Sequence, residues 1–370
     1  MIPVNTPLLD GKEKEYLIKA IEDGWISSEG PAVKEFENKF AAKVGRRQGI
    51  AVCNGSIALD LAVYAAGITE GDEVIMPSFT IISPAASVVR CGALPVLVDS
   101  CPDTWNMDVQ QIEAKITPRT KAILVVHIYG LPADMQPILQ LAKKHNLKVI
   151  EDAAEMHGQT YNGQPCGSFG DISIFSFYPN KHITTGEGGM IVCNDDELAD
   201  RCRHFRNLAF VPERRFVHYE LGWNYRFTNL QAVLGLAQVE RLDEFVTRKR
   251  RMGGRYSQLF ADLQDKIRLP LARTAYAENI YWVYGVILQP KAGMNAIEAM
   301  KRLAAEGIGT RPFFYPMHQQ PVFLNKGWYK DERYPVAEEM AEMGFYVPSG
   351  LALTDPEMAE VSRALHKILA

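Results

Sequence analysis

The stretch G-I-A-V-C-N-G-S-I-A-L-D-L-A-V-Y-A-A at residues 49–66 joins a short apolar run directly to a helical pattern that begins at Ser56. Further strand-like runs follow as far as Asn194: E-V-I-M-P at 73–77, L-P-V-L-V-D at 94–99, A-I-L-V-V-H-I-Y-G at 122–130, K-V-I-E-D-A-A at 148–154, I-S-I-F-S-F-Y at 172–178 and G-M-I-V-C-N at 189–194. Strands that alternate with helices are typical of an α/β fold, in which helices cover both faces of a mainly parallel sheet. Ligands of such sheets bind at the carboxyl ends of the strands, so we expect the functional residues there.

The rest of the chain predicts a second, smaller unit. Helical patterns occur at Met135–His145, Asp196–Arg206 and Leu230–Arg251, and a charged run R-K-R-R-M-G-G-R follows at 248–255. Beyond it lie the strand-like runs Y-W-V-Y-G-V-I-L at 281–288 and I-G-T-R-P-F-F-Y-P at 308–316, a helical pattern around 295–306 and two terminal helical patterns. Because single cores stop growing at roughly 250–300 residues, we predict a large α/β domain over 1–250 and a smaller α+β domain over 251–370.

Composition excludes several functional classes. The 370 residues carry a formal net charge of −4 and no basic block, so nucleic acid is not an expected partner. The N-terminus lacks a signal-peptide pattern and no run of about 18 apolar residues occurs, so we expect a cytoplasmic protein without a membrane partner. The six cysteines and eight histidines are dispersed, without the spacing of a metal site, so no metal is expected.

Asp152 and Lys181 are the candidate catalytic residues. Asp152 ends a run that should be buried, where a carboxylate needs a cationic partner. The protonated pyridine nitrogen of pyridoxal 5′-phosphate (PLP) would supply one and would keep the ring an electron sink. Lys181 follows in the segment S-F-Y-P-N-K. Only about one lysine in 10³ is a free amine at neutral pH, and burial or a Schiff base with PLP removes that limit.

A phosphate site is predicted at N-G-S-I-A, residues 54–58, where a strand passes directly into a helix. Small residues let the first N–H groups of the helix approach a phosphate, which the helix N-terminus also attracts. The alternative is that Ser56 is an ordinary helix N-cap. Ser176 could add a hydroxyl to the same phosphate. The glycine-rich T-T-G-E-G-G at 184–189 precedes a strand instead of joining a strand to a helix, which excludes a Rossmann dinucleotide site.

These segments resemble the DegT/StrS-type sugar aminotransferases, PLP-dependent enzymes with the aspartate aminotransferase (fold type I) architecture. The resemblance runs through W-I-S-S-E-G at 25–30, N-G-S-I-A-L at 54–59, G-D-E-V-I-M-P-S-F-T at 71–80, V-H-I-Y-G at 126–130, E-D-A-A-E at 151–155, S-F-Y-P-N-K at 176–181, G-E-G-G at 186–189 and G-W-N-Y-R-F-T-N at 222–229. Within the family the likeness is greatest to the group of GDP-perosamine synthases. It implies transfer of an amino group from L-glutamate to a keto sugar, preferably GDP-4-keto-6-deoxymannose, in surface polysaccharide biosynthesis.

The resemblance also implies roles for individual residues. Against PLP it places Lys181 as the Schiff-base lysine, Asp152 at the pyridine nitrogen, Glu155 near the ring hydroxyl, Ile81 at the ring face, and Ser56, the backbone of Ile57 and Ser176 at the phosphate. Asn224 would reach the phosphate from the neighbouring subunit, which implies a homodimer with shared sites. Trp25, Ser27, Arg311 and His318 would fall in the substrate region. Many members carry an aromatic residue at the place of Ile81, so the stacking attraction of roughly 0.5–1.5 kcal/mol is lost here.

Three alternatives stay open. Arg311 suits the diphosphate of a nucleotide sugar, but it suits equally the carboxylate of glutamate or of an 8-oxo 3-deoxy-octulosonate sugar acid. A PLP-dependent sugar dehydratase would have histidine at the lysine position, so Lys181 argues against it, although His182 lies next to it. A non-enzymatic regulator or scaffold could retain the fold without the chemistry.

Overall fold

The computed structural model describes residues 1–370, and a seven-stranded sheet forms its centre. The first nine strands of the chain are β1 (Gln48–Val52), β2 (Glu73–Pro77), β3 (Leu94–Val98), β4 (Thr120–Val126), β5 (Lys148–Asp152), β6 (Thr160–Tyr161), β7 (Gln164–Pro165), β8 (Ile172–Ser176) and β9 (Gly189–Cys193). The large sheet has the order β1-β9-β8-β5-β4-β2-β3, and β6 pairs with β7 in a separate ribbon. Only β9 runs against its neighbours, which confirms the predicted, mainly parallel sheet.

Helices cover both faces of this sheet. The helices of the chain are α1 (Glu13–Glu22), α2 (Pro31–Lys43), α3 (Gly55–Ala65), α4 (Ile82–Arg90), α5 (Met135–His145), α6 (Asp196–Arg206), α7 (Asn229–Val239), α8 (Leu242–Leu259), α9 (Ala296–Ala305), α10 (Pro321–Leu324), α11 (Pro335–Met343) and α12 (Asp355–Leu369). Along β4, Leu124 and Val126 pack with α3 and α4, whereas Ile123 and Val125 pack with α2, α5 and α7. Burial on both faces explains why the strands are continuous apolar runs. No helix combines the length and the apolar character that crossing a membrane requires.

The prediction of a single helix over Leu230–Arg251 is wrong. The chain turns after α7 ends at Val239, and α8 begins at Leu242. The side chain of Arg241, at this turn, is bonded to Asp10 and Glu244. Helix α8 then starts on the core of the large sheet with Phe245 and ends on a second core with Tyr256. Helix α8 therefore carries the chain from the large sheet to the second unit.

The second sheet contains β10 (Ile267–Arg268), β11 (Tyr284–Leu288), β12 (Arg311–Pro312) and β13 (Gly344–Val347), in the antiparallel order β10-β11-β13-β12. The start of the chain joins this unit, since Ile2 pairs with Ile308 and the N–H of Ser349 donates to the carbonyl of Val4. The predicted boundary near residue 250 falls inside α8. The second unit therefore includes both ends of the chain.

The parallel strands place six chain segments at one edge of the large sheet. Strands β1, β2, β3, β4, β5 and β8 all end there, because they run in the same direction. Each of the segments that follow these strands is therefore close to the others, although they are spread over more than 120 residues of sequence. This edge is where the predicted site residues meet.

Candidate active site

A cavity of ≈830 Å³ lies at the carboxyl edge of the large sheet. Every residue that the sequence predicts against the cofactor from the same subunit lines this cavity: Ser56, Ile57, Ile81, Asp152, Glu155, Ser176 and Lys181. The strand ends contribute most of the polar groups. The second unit contributes Trp282, just before β11, Phe314, just after β12, and Tyr346 of β13. The cavity therefore has a polar floor and a largely aromatic wall.

Asp152 is a buried carboxylate without a cationic partner. Its side chain is bonded to the N–H of Ala154 at 3.0 Å, and no lysine, arginine or histidine nitrogen lies within 4.0 Å. Burial raises its pKa from 3.8 to about 6, and the positive charge of Lys181 offsets only part of this effect. A protonated pyridine nitrogen would supply the missing cation, so this residue fits PLP.

Lys181 projects into the same cavity and is largely removed from water. Its Nζ lies 3.9 Å from Oε1 of Glu155 and 3.8 Å from the centroid of the Trp282 ring. Burial lowers the pKa of Lys181 below its ordinary value, although Glu155 and Asp152 oppose the shift. The fraction of free amine at neutral pH is therefore larger than for a surface lysine, as a nucleophilic lysine requires.

Glu155 is the second buried carboxylate of the site. Its Oε2 accepts a hydrogen bond from the N–H of Tyr129 at 2.6 Å, and burial raises its pKa to about 8. Glu155 can therefore keep a proton at neutral pH. A carboxyl group in this state can donate to a neighbouring oxygen, which fits a position near the ring hydroxyl.

The N-terminus of α3 has the geometry of an anion cradle. A Cβ atom at Gly55 would lie 2.6 Å from Cβ and 2.9 Å from Oγ of Ser176, so only glycine lets the helix start so close to this hydroxyl. The Oγ of Ser56 lies 2.8 Å from the Oγ of Ser83, at the start of α4. Hydroxyls beside a helix N-terminus suit a phosphate, so this part of the site also fits PLP.

The N-cap of α3 is Asn54, so the alternative of a Ser56 cap is wrong. The side-chain oxygen of Asn54 accepts from the N–H of Ile57 at 3.0 Å. The resemblance assigns the Ile57 N–H to the phosphate, but in this structure that N–H already donates to Asn54. Asn54 is the cap because an N-cap side chain accepts from the third N–H of its helix, which here belongs to Ile57.

Glu151 and Asp152 are adjacent in sequence but have different roles. Consecutive strand residues point to opposite sides, so Glu151 faces the core while Asp152 lines the cavity. Glu151 is bonded to Nε2 of His127 at 3.1 Å and to three backbone N–H groups after β7. Burial acts to raise the pKa of Glu151, but these hydrogen bonds lower it below its ordinary value. The role of Glu151 is to hold the loop between β7 and β8.

His127, Glu151 and Cys166 form a compact buried group of potential metal ligands. Nδ1 of His127 accepts from the N–H of Ala133 at 3.0 Å, so Nε2 carries the proton that is donated to Glu151. Both nitrogens are therefore engaged, and the carboxylate is saturated with donors. This group fits a hydrogen-bond network and does not fit a metal ion.

Three predicted residues lie outside the cavity of their own chain, on exposed segments. Trp25 and Ser27 lie in the loop after α1, where their backbone carbonyls accept from Asn229 at 2.8 and 2.9 Å. Asn224 is exposed on the segment before α7 and pairs through its backbone with Asn207. None of these side chains lines the cavity.

The two C-terminal substrate predictions differ in position. Arg311 lies on β12 beside Tyr346, which lines the cavity, and its exposed guanidinium has no carboxylate within 4.0 Å. His318 is buried away from the cavity, with Nδ1 at 2.8 Å from Oγ of Ser78 and Nε2 at 3.1 Å from Oε1 of Glu338. Both nitrogens of His318 thus serve to fasten the segment after β2 to α11, and the structure does not bring His318 to the other site residues.

The sequence did not single out four other residues that line the cavity. Thr80 and Asn180 lie inside the motifs quoted above, and their Oγ1 and Oδ1 atoms are buried without a hydrogen-bond partner. Trp282, just before β11, and Tyr346 of β13 belong to the second unit, more than 100 residues from Lys181. Only the folded chain brings them to the site.

Comparison with known proteins gives one consistent result. The chain matches the DegT/DnrJ/EryC1/StrS aminotransferase family over residues 7–366. It is 45% identical to a GDP-perosamine synthase of Caulobacter vibrioides, over 100% of this chain and 98% of that protein, and 42% identical to one of Escherichia coli O157:H7, over 99% and 98%. The solved structure of S. venezuelae DesV in complex with a ketimine intermediate has a TM-score of 0.88 and 32% identity, over 97% of this chain and 94% of that chain. The predicted fold type I architecture and the prediction of an enzyme are confirmed. The chain belongs to the DegT/DnrJ/EryC1/StrS aminotransferase family.

Proposed function

We propose that the protein is a PLP-dependent aminotransferase that transfers the amino group of L-glutamate to a nucleotide-linked 4-keto-6-deoxyhexose, with GDP-4-keto-6-deoxymannose as the preferred acceptor. The observation that carries the PLP chemistry is the uncompensated carboxylate of Asp152 in the same cavity as the buried amine of Lys181. Similarity over the full chain to two GDP-perosamine synthases supports the acceptor. The ketimine named in the DesV structure supports amine transfer.

Each residue of the site would have a separate role in binding PLP or in transferring a proton. PLP, when bound, supplies an electron sink for the negative charge that develops at the carbon bonded to the transferred nitrogen. Asp152 would keep the pyridine nitrogen protonated, because its buried carboxylate is stabilised by a cation. The amine of Lys181 would anchor the cofactor and, when free, would move a proton between the donor α-carbon and C4′ of the cofactor. Ser56 and Ser176 would hold the phosphate at the start of α3.

The aromatic wall keeps water from this proton transfer. Trp282 and Tyr346 cover the side of the cavity next to Lys181, and Tyr129 behind them is fully buried. Removing water strengthens the interaction of Asp152 with a bound cation, because the local dielectric constant falls. Glu155 adds a proton donor or acceptor within reach of Lys181.

The acceptor site is proposed at the rim of the cavity. Arg311 lies beside Tyr346 with an exposed guanidinium that donates to the carbonyl of Thr310 at 3.3 Å and has no carboxylate partner, which suits an anionic group. A diphosphate is the group that a nucleotide sugar would present. The carboxylate of an 8-oxo 3-deoxy-octulosonate is the second candidate, and the same unpaired guanidinium favours it.

A homodimer with shared sites is part of the proposal. Trp25, Ile26, Leu221 and Trp223 expose between 37% and 89% of their surface on the two segments that also carry Ser27 and Asn224. Exposed apolar groups of this size mark association surfaces. A second copy covering them in an isologous dimer would bring Asn224 to the partner's phosphate site.

Replacing Lys181 by Ala is expected to reduce turnover by about 10²–10⁴-fold, since no neighbouring amine takes over its proton transfer. The absorbance band of the Schiff base between PLP and the protein should also be lost, while circular dichroism stays that of the parent. Lys301→Ala, an exposed lysine on α9, is the matched control and should retain both. Turnover of Lys181→Ala at the parent rate would disprove the assignment.

Mixing two defective variants tests the shared site. Asn224→Ala is expected to weaken PLP binding, and Lys181→Ala is expected to be inactive. In a mixed dimer, one site combines the intact Lys181 of one subunit with the intact Asn224 of the other. Activity at limiting PLP should therefore rise on mixing, towards half that of the parent per mixed dimer. No gain after subunit exchange, verified by differently tagged chains, would place Asn224 outside the partner's site.

The stability of the cofactor-free protein should depend on Glu155 in a defined pH window. Its pKa is 4.5 in the unfolded chain and about 8 when folded, so between these values only the folded chain retains the proton and rising pH favours unfolding. The Tm of Glu155→Gln minus that of the parent is thus expected to increase from pH 5 to pH 8. The exposed control Glu197→Gln should give a constant difference. A constant difference for Glu155→Gln as well would mean that Glu155 is ionised when buried.

The acceptor is tested by turnover with L-glutamate against a panel of sugars. GDP-4-keto-6-deoxymannose is expected to give the highest kcat/KM, followed by its UDP and dTDP counterparts. Arg311→Ala should raise the KM for the sugar, because the unpaired guanidinium is lost. Activity on the 8-oxo octulosonate alone would reject the nucleotide-sugar acceptor and leave the PLP chemistry intact.

A further inference from the structure

The amine of Lys181 rests on the face of an aromatic ring. Its Nζ lies 3.8 Å from the centroid of the Trp282 ring, at least as close as the nearest carboxylate oxygen, that of Glu155 at 3.9 Å. A lysine ammonium within about 6 Å of an indole centroid is attracted by the negative face of the ring, and more strongly when water is excluded. Trp282 is only 4% exposed and the Lys181 side chain only 10%, so both are largely removed from water.

Trp282 is held by three contacts, two through its ring and one through its backbone. Its Nε1 donates to the carbonyl of Asn180 at 2.8 Å, which ties the ring to the residue directly before Lys181. Its own carbonyl accepts from Nζ of Lys249 at 2.8 Å. The ring also packs against Tyr129 at a centroid distance of 5.8 Å. The indole face therefore has a fixed position relative to the backbone that carries Lys181.

The charged groups around Lys181 do not fully stabilise its ammonium form. Asp152 and Glu155 raise its pKa, but neither makes a close ion pair with it. His157 and His182 are neutral at physiological pH because burial lowers the pKa of both. Lys249 is directed towards backbone carbonyls, and burial lowers its pKa to about 7. The π face of Trp282 is the remaining group that favours the ammonium form.

We propose that Trp282 is a positioning residue, which holds the free amine of Lys181 on its ring face and stabilises the protonated form of that amine. The inference rests on the proposed role of Lys181, whose amine is bonded to the cofactor at some stages and free at others. A long side chain that is released into an 830 Å³ cavity has many rotamers available. Contact with Trp282 restricts the Lys181 side chain to one resting position. From this position the amine can return to the same point in the cavity each time it is released.

The experiment measures the titration of Lys181 in the full-length, cofactor-free protein. Trace acetylation with acetic anhydride from pH 6 to pH 11, followed by peptide mass spectrometry, gives the pH midpoint at which the Lys181 amine becomes reactive. The exposed Lys301 serves as the internal reference. The variants are Trp282→Leu, which has no π face, and Trp282→Phe, which keeps a smaller one. Trp105→Leu is the matched control, because Trp105 is equally buried and packs on the same Tyr129 but does not contact Lys181.

We expect the midpoint of Lys181 to fall by about one pH unit in Trp282→Leu, a tenfold loss of proton affinity or about 1.4 kcal/mol. Trp282→Phe should show a smaller fall, and Trp105→Leu none. An unchanged or higher midpoint in Trp282→Leu that is folded by circular dichroism would overturn the inference. PLP uptake by the parent protein is followed separately by absorbance. Its absence would contradict the proposed function, whereas an unchanged midpoint would overturn only the role of Trp282.

Discussion

The buried carboxylate of Asp152 has one backbone N–H to accept from and no cation beside it, and the rest of the site is arranged around that constraint. A charge in this position is costly, because the interior solvates it poorly. Burial raises the pKa of Asp152 for the same reason. Lys181 does not remove the cost, since its amine is shared between Glu155 and the ring of Trp282. A bound pyridinium would remove it, so cofactor binding and stability of the site are coupled.

The parallel sheet makes this arrangement possible. Strands that run in one direction end at one edge, so Asp152 at the end of β5 and Lys181 shortly after β8 meet in one cavity. The alternation of side chains along β5 sends Glu151 into the core, where hydrogen bonds satisfy it, and leaves Asp152 in the cavity with a single backbone donor. The second unit then lines one side of the cavity with aromatic residues. The proposed catalytic groups and the aromatic wall thus come from two different units of the fold.

The sequence was sufficient for the features that depend on local patterns. Strand and helix alternation predicts the sheet, and the chemical demands of a buried aspartate and a reactive lysine point to Asp152 and Lys181. Features that depend on distant contacts were not accessible. Trp282 of the second unit meets Lys181 only in the folded chain, and His318 is hydrogen-bonded to Ser78 and Glu338 instead of lining the cavity. The positions of residues on exposed segments relative to a partner's site depend on a second chain, which no local pattern describes.

The identity of the lysine bonded to PLP is the most direct test. Borohydride reduction of the PLP-loaded protein fixes this bond, and peptide mass mapping locates it. Lys249 is the natural competitor, since it is also buried and burial lowers its pKa to about 7, but it is directed towards backbone carbonyls and does not line the cavity. The expected result is one PLP per chain on the peptide that contains Lys181. PLP on Lys249, or only on surface lysines, would contradict the assignment of the site.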